Sequence, residues 1–120
     1  MKQPESSEIC IFCQIAAGRA EAKIVFQDEE MTAFWDSRPA APIHILIVPN
    51  RHIASTNELD AKDAELLGRM VLRAKAIAED MDVAESGYRL FINTGPDGRQ
   101  TVFHLHLHLM AGARLPVYHT

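Results

Sequence analysis

Residues 103–110 read Phe103-His104-Leu105-His106-Leu107-His108-Leu109-Met110, and they place three of the chain's six histidines at every second position. In a β-strand, residues two apart point to the same face, so the three imidazoles would form a row with about 6.5–7 Å between neighbours. The intervening leucines would cover the opposite face. A helix would scatter both residue types around its circumference. The pattern therefore predicts a strand that is half buried through its leucines.

The rest of the chain predicts an α+β domain with a five-stranded antiparallel sheet, one long helix and a short N-terminal helix. Successive strands joined by short turns favour antiparallel pairing, whereas a parallel sheet would need a crossover helix between strands. The predicted helices cover residues 9–17 and 60–81, and the other strands cover 23–27, 31–35, 44–49 and 88–93.

Length and charge limit the class of protein. The chain has 120 residues and a net charge of −4, which suits a single domain and argues weakly against general nucleic-acid binding. No apolar run reaches the ~20 residues of a membrane span, and the polar residues 1–8 precede no signal-peptide core. We therefore expect a disordered lead over residues 1–8, a single domain over 9–120, no membrane association and a cytoplasmic location.

Three hypotheses compete for the histidine row. The histidines could be a solvated strand face, or three imidazoles could bind zinc with an open position for water. The third hypothesis is nucleophilic attack on phosphorus, because a neutral imidazole is a good nucleophile near pH 7. The polar loop before the row supplies candidate phosphate or leaving-group contacts: Asn93, Gly95, Gln100, Thr101 and Val102.

The chain's two cysteines form a second motif, Cys10-Ile11-Phe12-Cys13. Two residues between cysteines is a metal-ligand or redox spacing rather than a disulfide framework. A pair of small, half-buried residues with no special role is equally compatible with this motif alone.

Taken together, these segments resemble the histidine triad family, and specifically its nucleotide-binding phosphoramidase branch. The family motif His-φ-His-φ-His-φ-φ, in which φ is apolar, is filled without exception by residues 104–110. The resemblance extends over nearly the whole domain. It includes Ile11-Phe12-Cys13-Gln14-Ile15, Ala33-Phe34-Trp35-Asp36, the segment 41–49 with His44, Gly87-Tyr88-Arg89-Leu90 and Asn93-x-Gly95.

The resemblance implies a histidine triad fold and a hydrolase that forms a nucleotidyl-histidine intermediate on His106. His108 would contact the phosphate, and His104 and His44 would orient the row. A purine nucleotide would be the substrate, and no cofactor would be needed for the chemistry. The implied nucleotide-binding residues are Asp36 and Ser37 at the ribose end, Asn93, Gln100, Thr101 and Val102 near the phosphate, and Phe12, Ile15 and Phe34 around the base.

Some members of the family bind a structural zinc, and the matching ligands here are Cys10, Cys13, His52 and His104. Similar proteins are homodimers. Two residues depart from the family pattern: Arg99 stands where glycine is usual, and Ser37 where an apolar residue is usual. The alternatives to a phosphoramidase are a hydrolase of dinucleoside polyphosphates and a nucleotide-binding scaffold with little catalysis.

Overall fold

A computed structural model describes residues 9–117, so the predictions for residues 1–8 and 118–120 lie outside the described range. Two helices and five strands make up the fold, with two short 3-10 turns before the second helix. The elements are α1 (Ile11–Ala16), β1 (Ile24–Gln27), β2 (Met31–Trp35), β3 (Ile43–Pro49), the 3-10 turns Thr56–Glu58 and Ala61–Asp63, α2 (Ala64–Asp80), β4 (Tyr88–Phe91) and β5 (Leu107–Ala111).

All four strand pairings are antiparallel, in the order β1-β2-β3-β5-β4. The predicted α+β fold with a five-stranded antiparallel sheet is confirmed. β3 is the central strand, and residues 44–49 are buried on both faces, as a continuous apolar run predicts. β4 lies at one edge and is joined to the rest of the sheet through β5.

Because side chains alternate along each strand, the sheet has a separate hydrophobic core on each of its two faces. Helix α2 covers one face, where its residues Met70, Ala74 and Ile77 pack against strand residues that include Leu107 and Leu109. Helix α1 covers part of the other face through Phe12 and Ile15, which pack with Phe34, Leu46 and Val48. The histidines of β3 and β5 lie on this second face.

The predicted strand over residues 103–110 is wrong at its start, because β5 begins only at Leu107. The N–H of Leu105 donates to the carbonyl of Ile53 at 2.7 Å, so the chain follows a neighbouring loop before it enters the sheet. The last pair between β4 and β5 is Phe91 with His108. Residues 92 and 93 therefore lack a strand to pair with, and β4 is shorter than the predicted 88–93.

Helix α2 begins at Ala64, four residues later than the predicted position 60, because the chain first forms the 3-10 turn Ala61–Asp63. Asp60 accepts from the N–H of Lys62, and the carboxylate of Asp63 accepts from the N–H of Asp60. These bonds satisfy amide groups that no helical carbonyl reaches. Within residues 9–117, no helix is long and apolar enough to cross a bilayer.

Candidate active site and metal-binding cluster

The histidines of the row are buried, which excludes the hypothesis of a solvated strand face. His104 is 0% exposed, His106 4% and His108 8%, and His44 from the central strand is 4% exposed. Buried polar groups need hydrogen-bond partners. The main chain and neighbouring side chains supply them, and they determine which nitrogen of each ring carries the proton.

His106 has one ring nitrogen occupied and one available. Its Nδ1 lies 2.7 Å from the carbonyl oxygen of His104. A carbonyl can only accept, so Nδ1 carries the proton and Nε2 carries the lone pair. The ring is also held edge-on by Phe12, with ring centroids 5.2 Å apart and planes at 84°. His106 therefore presents Nε2 as a nucleophilic nitrogen in a fixed orientation.

A chain of hydrogen bonds gives His108 the opposite tautomer to that of His106. The N–H of Ala40 donates to Nδ1 of His44 at 3.0 Å, which places the proton of a neutral His44 on Nε2. That Nε2–H points at Nδ1 of His108, 2.9 Å away. The proton of His108 is therefore on its Nε2, which has no hydrogen-bond partner within the part of the chain that the structure describes.

Burial keeps the rings neutral. Desolvation, together with the neighbouring His106 and His44, lowers the pKa of His108 to about 3. Desolvation also lowers the pKa of His106, against an opposing effect of its bond to the His104 carbonyl and of the Asp36 charge. The pKa of His44 is lowered by the same desolvation, and Asp36 opposes it. At neutral pH the site thus pairs a free lone pair on His106 with a free N–H donor on His108.

His104 faces away from this pair toward the two cysteines. Its Nε2 donates to the carbonyl of Pro49 at 2.7 Å, so the lone pair lies on Nδ1. That Nδ1 is 3.2 Å from Sγ of Cys10 and 3.4 Å from Sγ of Cys13. Nδ1 of His52 lies 3.3 Å from Sγ of Cys13. The structure brings together all four metal ligands that the resemblance implies.

The donor set of this cluster fits a tetrahedral zinc ion. The four ligand atoms lie within 4.8 Å of one another. In a tetrahedral site, bonds of about 2.3 Å to sulfur and about 2.0–2.1 Å to nitrogen put neighbouring ligands about 3.6 Å apart. Burial, with the hydrogen bond and charge of Cys10, raises the pKa of the Cys13 thiol to about 12. A bound cation would reverse that effect, because metal coordination stabilises the thiolate.

A second group of possible ligands, Asp36, His44 and His108, does not fit a metal ion. Coordination through Nε2 of His44 would require a proton on its Nδ1. That nitrogen instead accepts the N–H of Ala40, and a protonated nitrogen cannot do so. This group is therefore better described as a hydrogen-bonded pair, His44 and His108, with Oδ2 of Asp36 3.5 Å from Nε2 of His44.

The predicted nucleotide-binding residues lie in three places. Asp36 follows β2, and its Oδ1 accepts the N–H of Arg38 in the exposed loop that also carries Ser37. Phe12, Ile15 and Phe34 belong to the α1 core, where Phe12 meets Phe34 edge to face. Asn93, Gln100, Thr101 and Val102 belong to the stretch between β4 and the histidine row.

The side chain of Gln100 stabilises the stretch between β4 and the histidine row through hydrogen bonds. Its side-chain N–H groups donate to the carbonyls of Ala54 and Val102, and its Oε1 accepts the N–H of Gly95. Both amide hydrogens are therefore used inside the protein, whereas Thr101 next to it is exposed. Contact of these residues with a phosphate stays a prediction.

Sequence reasoning missed four contributors to the site. Three are main-chain groups that act whatever side chain they carry: the carbonyls of Pro49 and His104 and the N–H of Ala40. The fourth is Phe91, whose ring stacks on His108 with centroids 4.3 Å apart and planes 7° from parallel. In the sequence, Phe91 stands out only as an aromatic residue in a predicted strand.

Comparison with known proteins agrees with this geometry. A protein-family model described as "Scavenger mRNA decapping enzyme C-term binding" matches residues 9–115. The purine nucleoside phosphoramidase of Escherichia coli (strain K12) is 45% identical over 109 residues, which are 91% of this chain and 92% of that protein. A HIT family hydrolase from Legionella pneumophila Philadelphia 1 superposes with a TM-score of 0.88 at 45% identity, over 89% of this chain and 96% of that one.

A further solved structure, a Zn-bound histidine triad family protein from Mycobacterium smegmatis, superposes with a TM-score of 0.76 at 30% identity. It covers 88% of this chain and 76% of the other. The chain therefore belongs to the histidine triad family, and the resemblance of its sequence is confirmed. Within that family, this protein is a hydrolase of the histidine triad type.

Proposed function

We propose that this protein hydrolyses purine nucleoside 5′-phosphoramidates, and adenylated amines of the same chemistry, through a nucleotidyl-histidine intermediate on His106. The observation that carries the proposal is the pairing of the Nε2 lone pair of His106 with the unpartnered Nε2–H of His108. The ring centroids of the two histidines are 4.8 Å apart. The 45% identity to the E. coli purine nucleoside phosphoramidase supports this choice of substrate.

In the first step, Nε2 of His106 attacks the α-phosphorus and the P–N bond to the leaving amine breaks. The carbonyl of His104 holds the Nδ1 proton of His106, so the ring can carry positive charge without turning. The Nε2–H of His108 donates a hydrogen bond to the phosphoryl group or the departing nitrogen and keeps its proton, while that nitrogen takes up a proton from solvent, which the second step returns. A donor aimed at developing charge in a buried site acts more strongly than the same donor in water.

In the second step, water attacks the phosphorus of the intermediate, and the bond to His106 breaks. A water proton is lost, and the products are the free imidazole and the nucleoside monophosphate, AMP or GMP. We assign Asp36 to the ribose hydroxyls, since a carboxylate can accept two hydroxyl hydrogens. Ser37 would lie beside it, and Asn93, Gln100, Thr101 and Val102 would line the phosphate end, with Phe12, Ile15 and Phe34 beneath the base.

We assign a structural zinc ion to Cys10, Cys13, His52 and His104, on the strength of the donor distances above. Two thiolates and two imidazoles form a closed site that leaves no position for a reacting water. Such an ion would link α1 and the loop after β3 to the histidine row. The reaction itself would still take place at His106.

We also propose that the protein is a homodimer. Val71 and Leu72 of α2 are 45% and 63% exposed, which is high for apolar side chains on a helix. β4 ends the sheet, and an edge strand offers unpaired main-chain groups to a partner. Sedimentation of the wild type and of Leu72→Glu tests this assignment, since a dimer built on α2 would dissociate in the variant.

The test of the enzymatic proposal is hydrolysis of adenosine 5′-phosphoramidate by the wild type and by His106→Ala, each with and without a chelator. We expect turnover that survives the chelator and falls by at least roughly a thousandfold in the variant, because the nucleophile is lost. Turnover of diadenosine polyphosphates alone would point to the other hydrolase class. Nucleotide binding without turnover of either substrate would identify a scaffold, and loss of turnover with the chelator would identify a metal-dependent hydrolase.

A further inference from the structure

We propose that Phe91 is a positioning residue for His108. Its ring would hold the imidazole in the one orientation that aims the Nε2–H at the reacting group. This inference rests on the proposed function for the reaction that His108 serves. The geometric part of it concerns the ring of His108 alone, and it can be tested without turnover.

The two rings are placed face to face by the sheet. Phe91 on β4 and His108 on β5 are directly paired across the strands. Cross-strand partners of an antiparallel pair stand about 4.5–5.5 Å apart at Cβ, so their side chains run side by side. The ring centroids are 4.3 Å apart, and the planes are within 7° of parallel. An aromatic ring therefore lies parallel to the imidazole and in contact with one of its faces.

Hydrogen bonds alone do not hold the His108 ring. The bond from Nε2 of His44 fixes one atom, Nδ1, at 2.9 Å. The opposite nitrogen has no partner among the described residues, so nothing polar stops the ring from tilting about the fixed atom. A parallel ring in contact with the face blocks that tilt. Phe91 thus restrains the ring of His108, as the edge-on ring of Phe12 restrains His106 and as contacts at both ring nitrogens restrain His104.

Core packing does not account for Phe91. The ring is only partly buried, and the residue belongs to none of the hydrophobic clusters that the described residues form. Its strand neighbours Tyr88 and Leu90 do pack against the α2 core, on the other face of the sheet. An aromatic side chain on an edge strand, placed on the histidine face and stacked on an essential ring, fits a positioning role.

The first experiment compares three variants on strand β4. Phe91→Leu removes the ring and keeps an apolar side chain, and Phe91→Tyr retains the ring. Tyr88→Leu is the matched control, since it makes an aromatic-to-leucine change on the same strand but on the opposite face. We would measure kcat and KM for adenosine 5′-phosphoramidate, melting temperature, and sedimentation to confirm that the oligomeric state is unchanged.

We expect Phe91→Leu to lower kcat by roughly tenfold with KM within about twofold of the wild type, since a displaced group harms the reaction more than binding. Phe91→Tyr should restore kcat. Tyr88→Leu should lower the melting temperature and leave kcat unchanged. A kcat for Phe91→Leu within about twofold of the wild type would overturn the proposal, as would an equal loss in Phe91→Tyr or in Tyr88→Leu.

The second measurement is nitrogen-15 NMR of the histidine rings, which reports the tautomer directly. The wild type should show His108 protonated at Nε2, and Phe91→Leu should keep that tautomer but show shifted and broadened Nε2 signals, because the ring tilts about Nδ1. An unchanged His108 spectrum in Phe91→Leu overturns the positioning role. A wild type that shows the expected tautomer but does not turn over the phosphoramidate refutes the proposed function and leaves the positioning of the ring intact.

Discussion

His104 and His106 each donate one ring N–H to a main-chain carbonyl, but they donate from different nitrogens. His104 uses Nε2 to reach Pro49 and turns Nδ1 toward the two cysteines. His106 uses Nδ1 to reach the carbonyl of His104 and keeps its lone pair on Nε2. Side chains of one type, two residues apart, therefore gain different chemistry from the oxygen that each one meets.

The row can therefore be divided into two ends. The nucleophile end holds His106, His108 and His44, and its free atoms are a lone pair and an N–H. The cluster end holds His104 and His52 with the cysteines, and its four side chains are the possible metal ligands. If this division is correct, a substitution at the cluster end should change metal binding with little effect on turnover. A substitution at the nucleophile end should change turnover with little effect on metal binding.

The largest effect should come from the donor at the nucleophile end. We expect His108→Ala to lower kcat by about a hundred- to a thousandfold, as the loss of one donor to developing charge does elsewhere. His52→Ala, at the cluster end, should lower kcat by less than about threefold. Steady-state rates with adenosine 5′-phosphoramidate give both numbers, and similar losses in the two variants would break the division.

The next effect concerns stability at the cluster end. With free zinc at about a hundred times its dissociation constant, the free energy of unfolding should rise by about 2.7 kcal/mol. Urea unfolding of chelated and zinc-loaded protein measures it, with the double variant Cys10→Ala, Cys13→Ala as the control. A rise that persists in the double variant would place the ion elsewhere. A change in kcat on loading would show that the two ends are coupled.

A third effect is the dependence of stability on pH. Burial lowers the pKa of His108 to about 3 in the folded protein, whereas an exposed histidine has a pKa of about 6.5. Between these values the unfolded chain binds the proton and the folded chain does not, so acid favours unfolding. The contribution is complete above about pH 6.5 and is lost at about 1.4 kcal/mol per pH unit as the pH falls toward 3.

Urea titrations of chelated protein at pH 7, 6 and 5 test this expectation against His108→Asn. The variant has no ring to protonate, so its stability should fall less steeply, by about 1.4 kcal/mol per pH unit. Equal slopes for the two proteins would mean that the ring of His108 is already protonated in the folded state. In that case it could not accept the N–H of His44.

The smallest effect belongs to the loop that leads into the row. Arg99 has φ +63°, a left-handed conformation that favours glycine. Arg99→Gly should raise the free energy of unfolding by up to about 1 kcal/mol, since relief of the strain is partly offset by a more flexible unfolded chain. Gly98→Ala is the contrasting control, because its Cβ would lie 2.3 Å from the carbonyl oxygen of Thr94. A loss of stability in Arg99→Gly would show that the arginine side chain stabilises the loop.

Much of the fold could be predicted from the sequence because the pattern of burial is local. The predicted strand 31–35 matches β2, and the apolar run 44–49 matches β3 except for Ile43 at its start. The spacing of Met70, Ala74 and Ile77 marks the buried face of α2. The start of β5 could not be predicted, because it depends on the hydrogen bond from Leu105 to Ile53, a residue 52 positions earlier in the chain.

The ligand set of the cluster could be named from the resemblance, and the structure brings those side chains together. The tautomers could not be predicted, because they depend on the main-chain groups of Ala40, Pro49 and His104. Main-chain carbonyl and N–H groups are the same in nearly all residue types, so no pattern of residue types can indicate which of these groups a histidine contacts. The stack of Phe91 on His108 was missed for a related reason, since it follows from strand pairing across the sheet.

The acceptor that orients His106 is the carbonyl of His104, and every amino acid at position 104 would supply one. Mutation can therefore remove the imidazole at that position, and with it a proposed metal ligand, without deleting the acceptor for His106. A single substitution at position 104 would abolish a ligand of the proposed zinc ion while the proposed nucleophile keeps its orientation. The proposed metal binding and the proposed turnover can thus change independently at this position.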